Sequence, residues 1–181
     1  MTEAMNSPFF EKKISSTRMY TGNYIAVNHD EVQLPNDRRA TRDVVLHPGA
    51  VTILAVTEDE RVVLVRQFRY AIGQETVELP AGKLDPHEKP LDAAIRELGE
   101  ETGYMAASVT LLHTFYSAPG FCDEKMYLYE ARGLTLGEIH PDEDEFLAPI
   151  LLSKHEAKDW VANGKITDAK TLIGLLHFLS T

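Results

Sequence analysis

The chain has 181 residues, of which 44% are hydrophobic and 25% charged, an ordinary composition for one globular domain, with or without an appendage. The formal net charge of −10 argues against nucleic acid or an anionic membrane as the main partner. No apolar run is long enough to cross a membrane, and the first residues do not have the pattern of a signal peptide, so we expect neither. The single cysteine, Cys122, excludes an intrachain disulfide and is typical of the cytoplasmic location that we predict.

The first half of the chain is predicted to be mostly β-structure. Residues 11–46 contain short β-prone stretches separated by turn signals, such as N-Y-I-A-V before N-H-D and E-V-Q-L before P-N-D. Because large apolar side chains are few here, we expect a small sheet that packs on the main domain or on a second subunit. Residues 50–56 and 61–68 predict a hairpin joined by T-E-D-E, and residues 76–80 predict another strand. We therefore divide the chain into an N-terminal β segment, residues 1–45, and a main domain, residues 46–181.

A helix is predicted after residues 81–89, which have the composition of a loop. Pro90 fits the first helical position, where a missing N–H costs nothing, and Gly103 fits the position that ends the helix. Apolar residues spaced at i, i+3, i+4 and i+7 predict one buried face. This predicted stripe consists of Leu91, Ala94, Ile95 and Leu98.

The remainder of the chain is predicted to contain three strands and two helices. The strands are expected at residues 107–115, 125–131 and 146–152. Ser153 and Glu156 have the spacing of a capping box, so they predict a helix that Gly164 ends, and Asp168 is expected to cap a last helix. The predicted buried face of that helix is Leu172, Leu175, Leu176 and Leu179. The order of strands, helix, strands and two helices favours an α+β sandwich over a doubly wound α/β sheet.

Three glutamates, Glu97, Glu100 and Glu101, fall within five positions of the first predicted helix, on a face expected to be distinct from its apolar stripe. Like charges at this spacing repel by roughly 0.2–0.5 kcal/mol per pair. Carboxylate oxygens are hard ligands that suit Mg²⁺ or Mn²⁺, and no cysteine pair or His-x3-His accompanies them to indicate structural zinc. A solvated acidic helix face is the ordinary alternative for three glutamates alone.

The surrounding sequence favours a divalent-metal site over a solvated acidic helix face. From Gly82 it fits the pattern G-x5-E-x7-R-E-U-x-E-E-x-G-U, where U is a bulky apolar residue. Glu88, Arg96 and Gly103 fall in place, and only Tyr104 departs from the more usual aliphatic residue. This pattern resembles the Nudix box, the signature of the Nudix hydrolases. The resemblance implies an α/β/α sandwich with a mixed sheet, in which a loop–helix–loop holds a divalent metal against a diphosphate.

The resemblance also implies roles for the charged and glycine positions of the pattern. Arg96 would orient a glutamate through charge-assisted hydrogen bonds, and Glu88 would brace the loop. Gly82 and Gly103 would supply backbone conformations that a Cβ resists. The metal, Mg²⁺ with Mn²⁺ as a substitute, would neutralise the phosphates, polarise a P–O bond and lower the pKa of a bound water. The implied ligands are the Ala81 carbonyl and the side chains of Glu97, Glu100 and Glu101, and the catalytic set includes Glu97, Glu101 and Arg96.

The sequence downstream of the box narrows the range of possible substrates. Pro119 lies sixteen residues after Gly103 in the stretch Y-S-A-P-G-F-C-D-E, which resembles the ADP-ribose pyrophosphatases of this family. The alternative is a plain Pro-Gly turn between two strands. The stretches V-R-Q-F-R-Y, E-L-P-A-G-K-L-D and T-G-N-Y-I-A-V extend the resemblance over nearly the whole chain. It implies Mg²⁺-dependent hydrolysis of ADP-ribose, a nucleoside diphosphate sugar, to AMP and ribose 5-phosphate.

The substrate-binding residues are predicted from their positions and chemistry. Arg69, at the end of a predicted strand, is our candidate for contacting the diphosphate, since its planar fork matches phosphate oxygens. A surface arginine on a strand is the alternative, and Arg42 is a weaker candidate for the same contact. Pro119 would shape the pocket for the terminal ribose. Tyr24, with Tyr20, would help to hold the adenine, or would pack within the small sheet instead.

A general base is expected outside the box because its glutamates are needed as metal ligands. The acidic stretch H-P-D-E-D-E-F at residues 140–146 resembles the loop that supplies this base in the subfamily. Its position before Phe146 maps the base to Glu145, with Glu143 as the second candidate and a solvated acidic loop as the alternative.

Analogy with the subfamily further predicts a homodimer with an exchanged N-terminal region. Two other functions are alternatives to ADP-ribose hydrolysis. One is hydrolysis of a GDP- or UDP-sugar by the same chemistry. The other is a non-catalytic ADP-ribose sensor that regulates transcription, which would need a DNA-binding appendage, and no segment resembles a basic helix-turn-helix.

Overall fold

The computed structural model describes residues 7–138 and 146–181. The chain forms two compact units. Within the described residues, the first unit contains residues 7–48 and 116–124, and the second contains residues 49–115, 125–138 and 146–181. The division at residue 45 that the sequence suggests stays a prediction.

A three-stranded antiparallel sheet, in the order β1-β2-β3, makes up most of the first unit. Its strands are β1 (Lys12–Thr21), β2 (Ala26–Gln33) and β3 (Arg39–Leu46). This confirms the predicted small sheet, but the turn predicted at N-H-D was wrong, because those residues lie inside β2. Arg18 Nε donates to Asn28 Oδ1 at 2.6 Å and Ser16 Oγ donates to Asp30 Oδ1 at 2.5 Å. These cross-strand bonds satisfy the polar side chains while the backbone stays extended and paired.

Within the described residues, the second unit is built on a seven-stranded mixed sheet. The strands are β4 (Ala50–Val56), β5 (Arg61–Arg69), β6 (Gln74–Glu78), β7 (Ala81–Lys83), β8 (Tyr104–Tyr116), β9 (Lys125–Leu136) and β10 (Leu147–Ser153). The helices are α1 (Pro90–Thr102), α2 (Lys154–Ala162) and α3 (Ala169–Ser180), with a 3-10 turn at Tyr70–Ile72. The main strand order is β10-β5-β4-β9-β8, with β6 beside β5 and β7 beside β4. Strand β4 pairs with β9 in parallel and with β5 and β7 antiparallel.

Helices cover both faces of this sheet. Successive side chains of β4 point to opposite faces, and they enter two different buried clusters. Val51 and Ile53 lie in one buried cluster, which also contains Ala93, Ala94 and Leu98 of α1. Leu54 lies in the other, with Ala157 of α2 and Leu175 and Phe178 of α3. All seven residues of β4 are buried. The predicted α+β class, with an α/β/α sandwich and a mixed sheet, is therefore confirmed.

The helix ends predicted from the sequence are present. Pro90 occupies the start of α1, and Gly103 ends it in the left-handed conformation, with φ 72°. Ser153 and Glu156 form a complete capping box at α2. The Asp168 carboxylate accepts a hydrogen bond from the Thr171 N–H at the start of α3. Such caps satisfy backbone N–H groups that have no partner inside a helix.

Both predicted apolar faces were partly wrong. On α1, Leu91 and Ile95 are 41% and 53% exposed, while Glu97 and Glu101 are buried beside Ala94 and Leu98. The two glutamates therefore do not form a face distinct from the buried one, and partners described below satisfy them there. On α3, Leu176 is 55% exposed, and the fully buried positions are Thr171, Gly174, Leu175 and Phe178. A Cβ at Gly174 would overlap Leu79 Cδ1, so the missing side chain lets α3 approach the end of β6 closely on this face.

The segment predicted as a loop after Pro80 begins with the short strand β7. Ala81, Gly82 and Lys83 pair with Thr52, Val51 and Ala50 of β4. Pairing with a central strand overrides the loop-like composition of these residues. Among the described residues, we find no helix with both the length and the apolar character needed to cross a membrane.

Candidate functional site

The candidate site forms where β7 passes the buried side of α1. Gly82, in β7, lies so close to Glu97 that a Cβ on the glycine would overlap the glutamate's carboxylate. A larger residue here would require the Glu97 carboxylate to move from its present position. The pattern G-x5-E-x7-R-E thus corresponds to a close contact between a strand and a helix.

Arg96 is the centre of an ion-pair network that includes three carboxylates of the box. Its Nε and Nη2 donate to the two oxygens of Glu88 at 2.9 and 3.0 Å. Its Nη1 donates to Glu97 Oε1 and to Glu100 Oε2, both at 2.8 Å. The forked guanidinium can serve several carboxylates because it carries five N–H donors in fixed directions. Arg96 therefore relieves part of the repulsion among the glutamates from within the chain.

Glu88 ties the loop before α1 to this network. One of its oxygens also accepts a hydrogen bond from the Asp85 N–H at 3.0 Å. The hydrogen bonds from Arg96, helped by the bond from Asp85, hold the pKa of Glu88 below its usual value. The pKa of Arg96 is raised in turn, chiefly by its hydrogen bonds to Glu88. The loop is thus closed by an ionised pair at neutral pH.

Glu101 connects α1 to the backbone of β7. Its carboxylate is buried, with 3% of the residue exposed, and its Oε2 accepts a hydrogen bond from the Ala81 N–H at 2.9 Å. Glu97 is 7% exposed and Glu100 is partly exposed. Buried carboxylates are stable only when hydrogen bonds or opposite charges satisfy them, and both kinds of partner are present here.

The oxygen donors at this junction match the preferences of a divalent cation. Three carboxylates and the Ala81 carbonyl could supply the hard oxygen ligands that Mg²⁺ takes. In this structure, Arg96 holds two of these carboxylates. Accordingly, no three Asp, Glu, His or Cys side chains within residues 7–138 and 146–181 are arranged as a metal-binding group. The donor types fit the ion, and the side chains have the arrangement of a salt-bridged cluster.

Arg69 lies at the end of β5 and is paired with a carboxylate. Its Nε and Nη2 donate to the two oxygens of Glu78 at 2.8 and 2.6 Å. Only 2% of the Glu78 side chain is exposed, against 43% of Arg69. Hydrogen bonding to Glu78 raises the pKa of Arg69, and the negative charges of Asp168 and Glu101 add to this effect. Arg69 therefore lies within electrostatic range of the glutamate helix.

Glu78 also accepts hydrogen bonds from the Thr76 hydroxyl, at 2.6 Å, and from the Lys170 ammonium group. Burial opposes its ionisation, yet the hydrogen bonds from Arg69 and the charge of Lys170 outweigh burial and lower its pKa to about 2. Neither Glu78 nor Lys170 is among the site residues predicted from the sequence. A lone charged residue in the apolar strand T-V-E-L-P was the signal that could have identified Glu78.

The other predicted substrate-binding residues belong to the first unit. Arg42, in β3, forms a bidentate ion pair with Glu11, at 2.9 and 2.5 Å. Tyr24 is 53% exposed and lies edge-on to His47, with ring centroids 5.6 Å apart. Pro119 lies in a turn in which the Phe121 and Cys122 N–H groups donate to the Ala118 carbonyl at 3.1 and 2.9 Å. The turn is therefore present, and a contact of Pro119 with substrate stays a prediction.

The predicted general base lies outside the described residues. Glu145 and its alternative Glu143 fall between residues 138 and 146, so their assignment rests on the sequence.

Comparison with known proteins assigns the chain to a family. The family model for the NUDIX domain matches residues 46–172, which is most of the chain. The chain belongs to the Nudix family. A second family model, the nucleoside diphosphate sugar hydrolase N-terminal domain, matches residues 11–45 of this Nudix protein.

Relatives of this Nudix protein cover nearly all of its length. The methanol dehydrogenase activator of Bacillus methanolicus is 40% identical over 175 residues, which span 96% of this chain and 95% of that protein. The ADP-ribose pyrophosphatase of Bacillus subtilis (strain 168) is also 40% identical, over 92% of this chain and 91% of its own. A crystal structure of an ADP compounds hydrolase superposes with a TM-score of 0.82 at 22% identity, covering 94% of this chain and 92% of that one. This last likeness shows that the fold is shared.

The contact between Gly82 and Glu97 predicts opposite effects for two glycine substitutions. Gly82→Ala is expected to lower the unfolding free energy by about 1–3 kcal/mol, because the new methyl group displaces a buried carboxylate from Arg96. Gly99→Ala, on the same helix with open space around its Cβ position, is expected to be neutral or to stabilise by up to about 1 kcal/mol. Urea unfolding of both variants measures the difference, and equal stabilities would show that the Glu97 carboxylate can leave its position beside Gly82 at little cost in stability.

Proposed function

We propose that this Nudix protein hydrolyses the diphosphate bond of ADP-ribose to AMP and ribose 5-phosphate, using Mg²⁺. The observation that carries the proposal is the junction of β7 and α1, where the Glu97 carboxylate lies against Gly82, the Glu101 carboxylate accepts the Ala81 N–H, and Arg96 links Glu97 to Glu100. The ADP-ribose pyrophosphatase among its full-length relatives supports this choice of substrate. The single cysteine supports a cytoplasmic location.

In this proposal, the acidic residues of the box bind Mg²⁺, and hydrogen bonds from Arg96 keep two of them in position. A bound Mg²⁺ supplies charge neutralisation of the phosphates and a bound water of lowered pKa. Arg96 holds Glu97 and Glu100 on one guanidinium nitrogen, and is itself held by the bidentate bond to Glu88. The proposed ligands are the Ala81 carbonyl and the carboxylates of Glu97, Glu100 and Glu101.

Arginines are proposed to bind the diphosphate. Arg69 is the main candidate because its side chain is partly exposed and its fork suits two phosphate oxygens. Arg42 is the second candidate, and it would exchange its contact with Glu11 for one with phosphate. Tyr24 offers a half-exposed ring for the adenine, and the rigid turn at Pro119 offers a wall for the terminal ribose.

A homodimer with an exchanged N-terminal region is part of the proposal. All ten residues of β1 are exposed in a single chain, and they include Ile14, Met19 and Tyr20, which are 42%, 65% and 56% exposed. A second chain would remove this apolar area from water. Sedimentation equilibrium is expected to give about twice the chain mass of 20.3 kDa. A single-chain mass at micromolar concentration would contradict the dimer.

Another nucleoside diphosphate sugar, such as a GDP- or UDP-sugar, is the second candidate substrate. The description of the N-terminal family model, which names nucleoside diphosphate sugars in general, supports it. A non-catalytic sensor of ADP-ribose is less well supported, because the box retains every acid that the pattern requires.

Hydrolysis of a small substrate panel tests the function. ADP-ribose, ADP-mannose, UDP-glucose and GDP-mannose are incubated with the protein in Mg²⁺ or in EDTA, and AMP or the corresponding nucleotide is measured. ADP-ribose is expected to be the best substrate, and EDTA is expected to abolish its turnover. Faster turnover of UDP-glucose or GDP-mannose would keep the metal chemistry and exclude the ADP-ribose preference. No turnover of any compound would favour the sensor.

In the same assay, Glu101→Gln is expected to lower kcat/KM by about a hundredfold or more, because it removes a charged metal ligand. The fold should persist, since the glutamine carbonyl can still accept the Ala81 N–H. Glu58→Gln, at an exposed turn position, serves as the matched control and should leave turnover unchanged. Full activity of the Glu101 variant would refute its role as a ligand.

Glu145 is proposed as the residue that activates water. Glu145→Gln is expected to lower kcat by about a hundredfold, within the range of a general base, with a smaller change in KM. Glu143→Gln is the matched control in the same stretch and should retain most of kcat. The reverse pattern would assign the base to Glu143, whereas a change confined to KM would make Glu145 a binding residue.

A further inference from the structure

The buried carboxylate of Glu78 is shared by two cations that come from different elements. Arg69 reaches it from the end of β5 and Lys170 from the first turn of α3. Each carboxylate oxygen accepts two hydrogen bonds. Oε1 accepts from Arg69 Nε and from the Thr76 hydroxyl, and Oε2 accepts from Arg69 Nη2 and from Lys170 Nζ. On each oxygen, therefore, one donor is Arg69 and the other is not.

Lys170 is fixed in this position by the start of α3. Its side chain is only 14% exposed, and its Nζ also lies 3.0 Å from Asp168 Oδ2. That oxygen accepts the Thr171 N–H and hydroxyl at 3.0 and 2.6 Å, so it is part of the helix cap. The Thr171 hydroxyl oxygen accepts the Leu79 N–H at 2.8 Å. The start of α3 thus holds both the side chain of Glu78 and the backbone of the next residue.

The same segment leads directly to the glutamate helix. After Leu79, the Pro80 carbonyl accepts a hydrogen bond from the Ile53 N–H at 2.8 Å, and the Ala81 N–H donates to Glu101 at 2.9 Å. Every residue from Glu78 to Ala81 is therefore held by a hydrogen bond to another element: α3 holds the first two residues, β4 holds Pro80 and α1 holds Ala81. The loss of a cation beside Glu78 would therefore occur three residues from Ala81, whose carbonyl is a proposed metal ligand.

Because each oxygen of Glu78 accepts a second hydrogen bond, Arg69 can leave Glu78 without leaving either oxygen unsatisfied. If its guanidinium turned away, Thr76 would still satisfy Oε1, and Lys170 would still satisfy Oε2 and neutralise the charge. Without Lys170, the departure of Arg69 would leave a carboxylate that is 2% exposed with no cation beside it, which is a strongly unfavourable state. Arg69 is 43% exposed, so an anion in solvent can reach it, whereas Lys170 is largely covered.

We propose that Lys170 is a positioning residue for substrate binding, which neutralises Glu78 so that Arg69 can turn from Glu78 to a phosphate of the nucleoside diphosphate substrate. This inference rests on the proposed role of Arg69 in the proposed function. Arg69 is the residue that touches the substrate, and Lys170 acts through Glu78. The structure captures the arrangement in which Arg69 is held by Glu78.

The first test replaces Lys170 with methionine, which keeps an unbranched apolar side chain of similar length and removes the charge. Because Glu78 then retains Arg69 as its single cation, KM for ADP-ribose is expected to rise about tenfold, with kcat changed by less than about twofold. Lys170→Arg restores a cation at this position and is expected to return KM to near the wild-type value. A general loss of structure would instead lower kcat and thermal stability in both variants.

The second test asks whether the effect passes through Glu78. In Glu78→Gln the side chain is neutral and no longer requires a cation, so adding Lys170→Met is expected to leave KM unchanged. A purely structural role of Lys170 would raise KM by the same factor in both backgrounds, since independent effects add. Binding of ADP in the presence of Mg²⁺, measured by calorimetry, repeats the comparison without turnover of ADP-ribose, and its dissociation constant is expected to rise about tenfold in Lys170→Met.

The outcomes separate this proposal from the proposed function. If the wild-type protein binds ADP but does not hydrolyse ADP-ribose, the proposed function fails and the calorimetric comparison still decides the role of Lys170. Unchanged KM and ADP affinity in Lys170→Met would overturn the proposal, and so would an equal effect in the Glu78→Gln background or no ADP binding by the wild type. If Lys170→Met does not fold, Lys170→Gln, which keeps a donor without the charge, is judged by the same criteria.

Discussion

The guanidinium of Arg96 is shared by three carboxylates, and the geometry of the box depends on this sharing. Two of its nitrogens hold Glu88 in the loop, and the third holds Glu97 and Glu100 on the helix. Without a central cation, acidic residues at helical spacing would repel one another. With it, Glu97 can lie against Gly82, and the helix can bury a side that carries charge. The catalytic chemistry that we propose uses carboxylates that the fold has already gathered.

Local features of the fold were predictable because nearby residues determine them. Pro90 and Gly103 set the ends of α1 through their own backbone preferences, and the capping box at Ser153 needs only a residue three positions away. The central strands were recognised from continuous apolar runs. The box itself was identified through its resemblance to the family signature, which spans only one loop and one helix.

Features that depend on distant partners were not predictable in this way. The buried side of α1 was misplaced because Glu97 and Glu101 count as polar in any periodicity analysis, although Arg96 and the Ala81 N–H make their burial possible. The buried side of α3 was misplaced because Gly174, which has no side chain to count, allows the close approach to Leu79. Glu78 and Lys170 are 92 positions apart, and no local pattern joins them.

Strand β4 has a consequence for how the second unit resists unfolding. Its alternate side chains belong to two different buried clusters, one beneath α1 and one beneath α2 and α3. The two clusters therefore share one backbone, so a loss of packing on one face that shifts β4 also disturbs the other face. Cooperativity of this kind couples the stability of α1 to that of the opposite face. A substitution that creates a cavity beneath α3 would therefore also weaken the packing of α1, the helix that carries the glutamates. The effect would pass through β4, in which no functional residue is proposed.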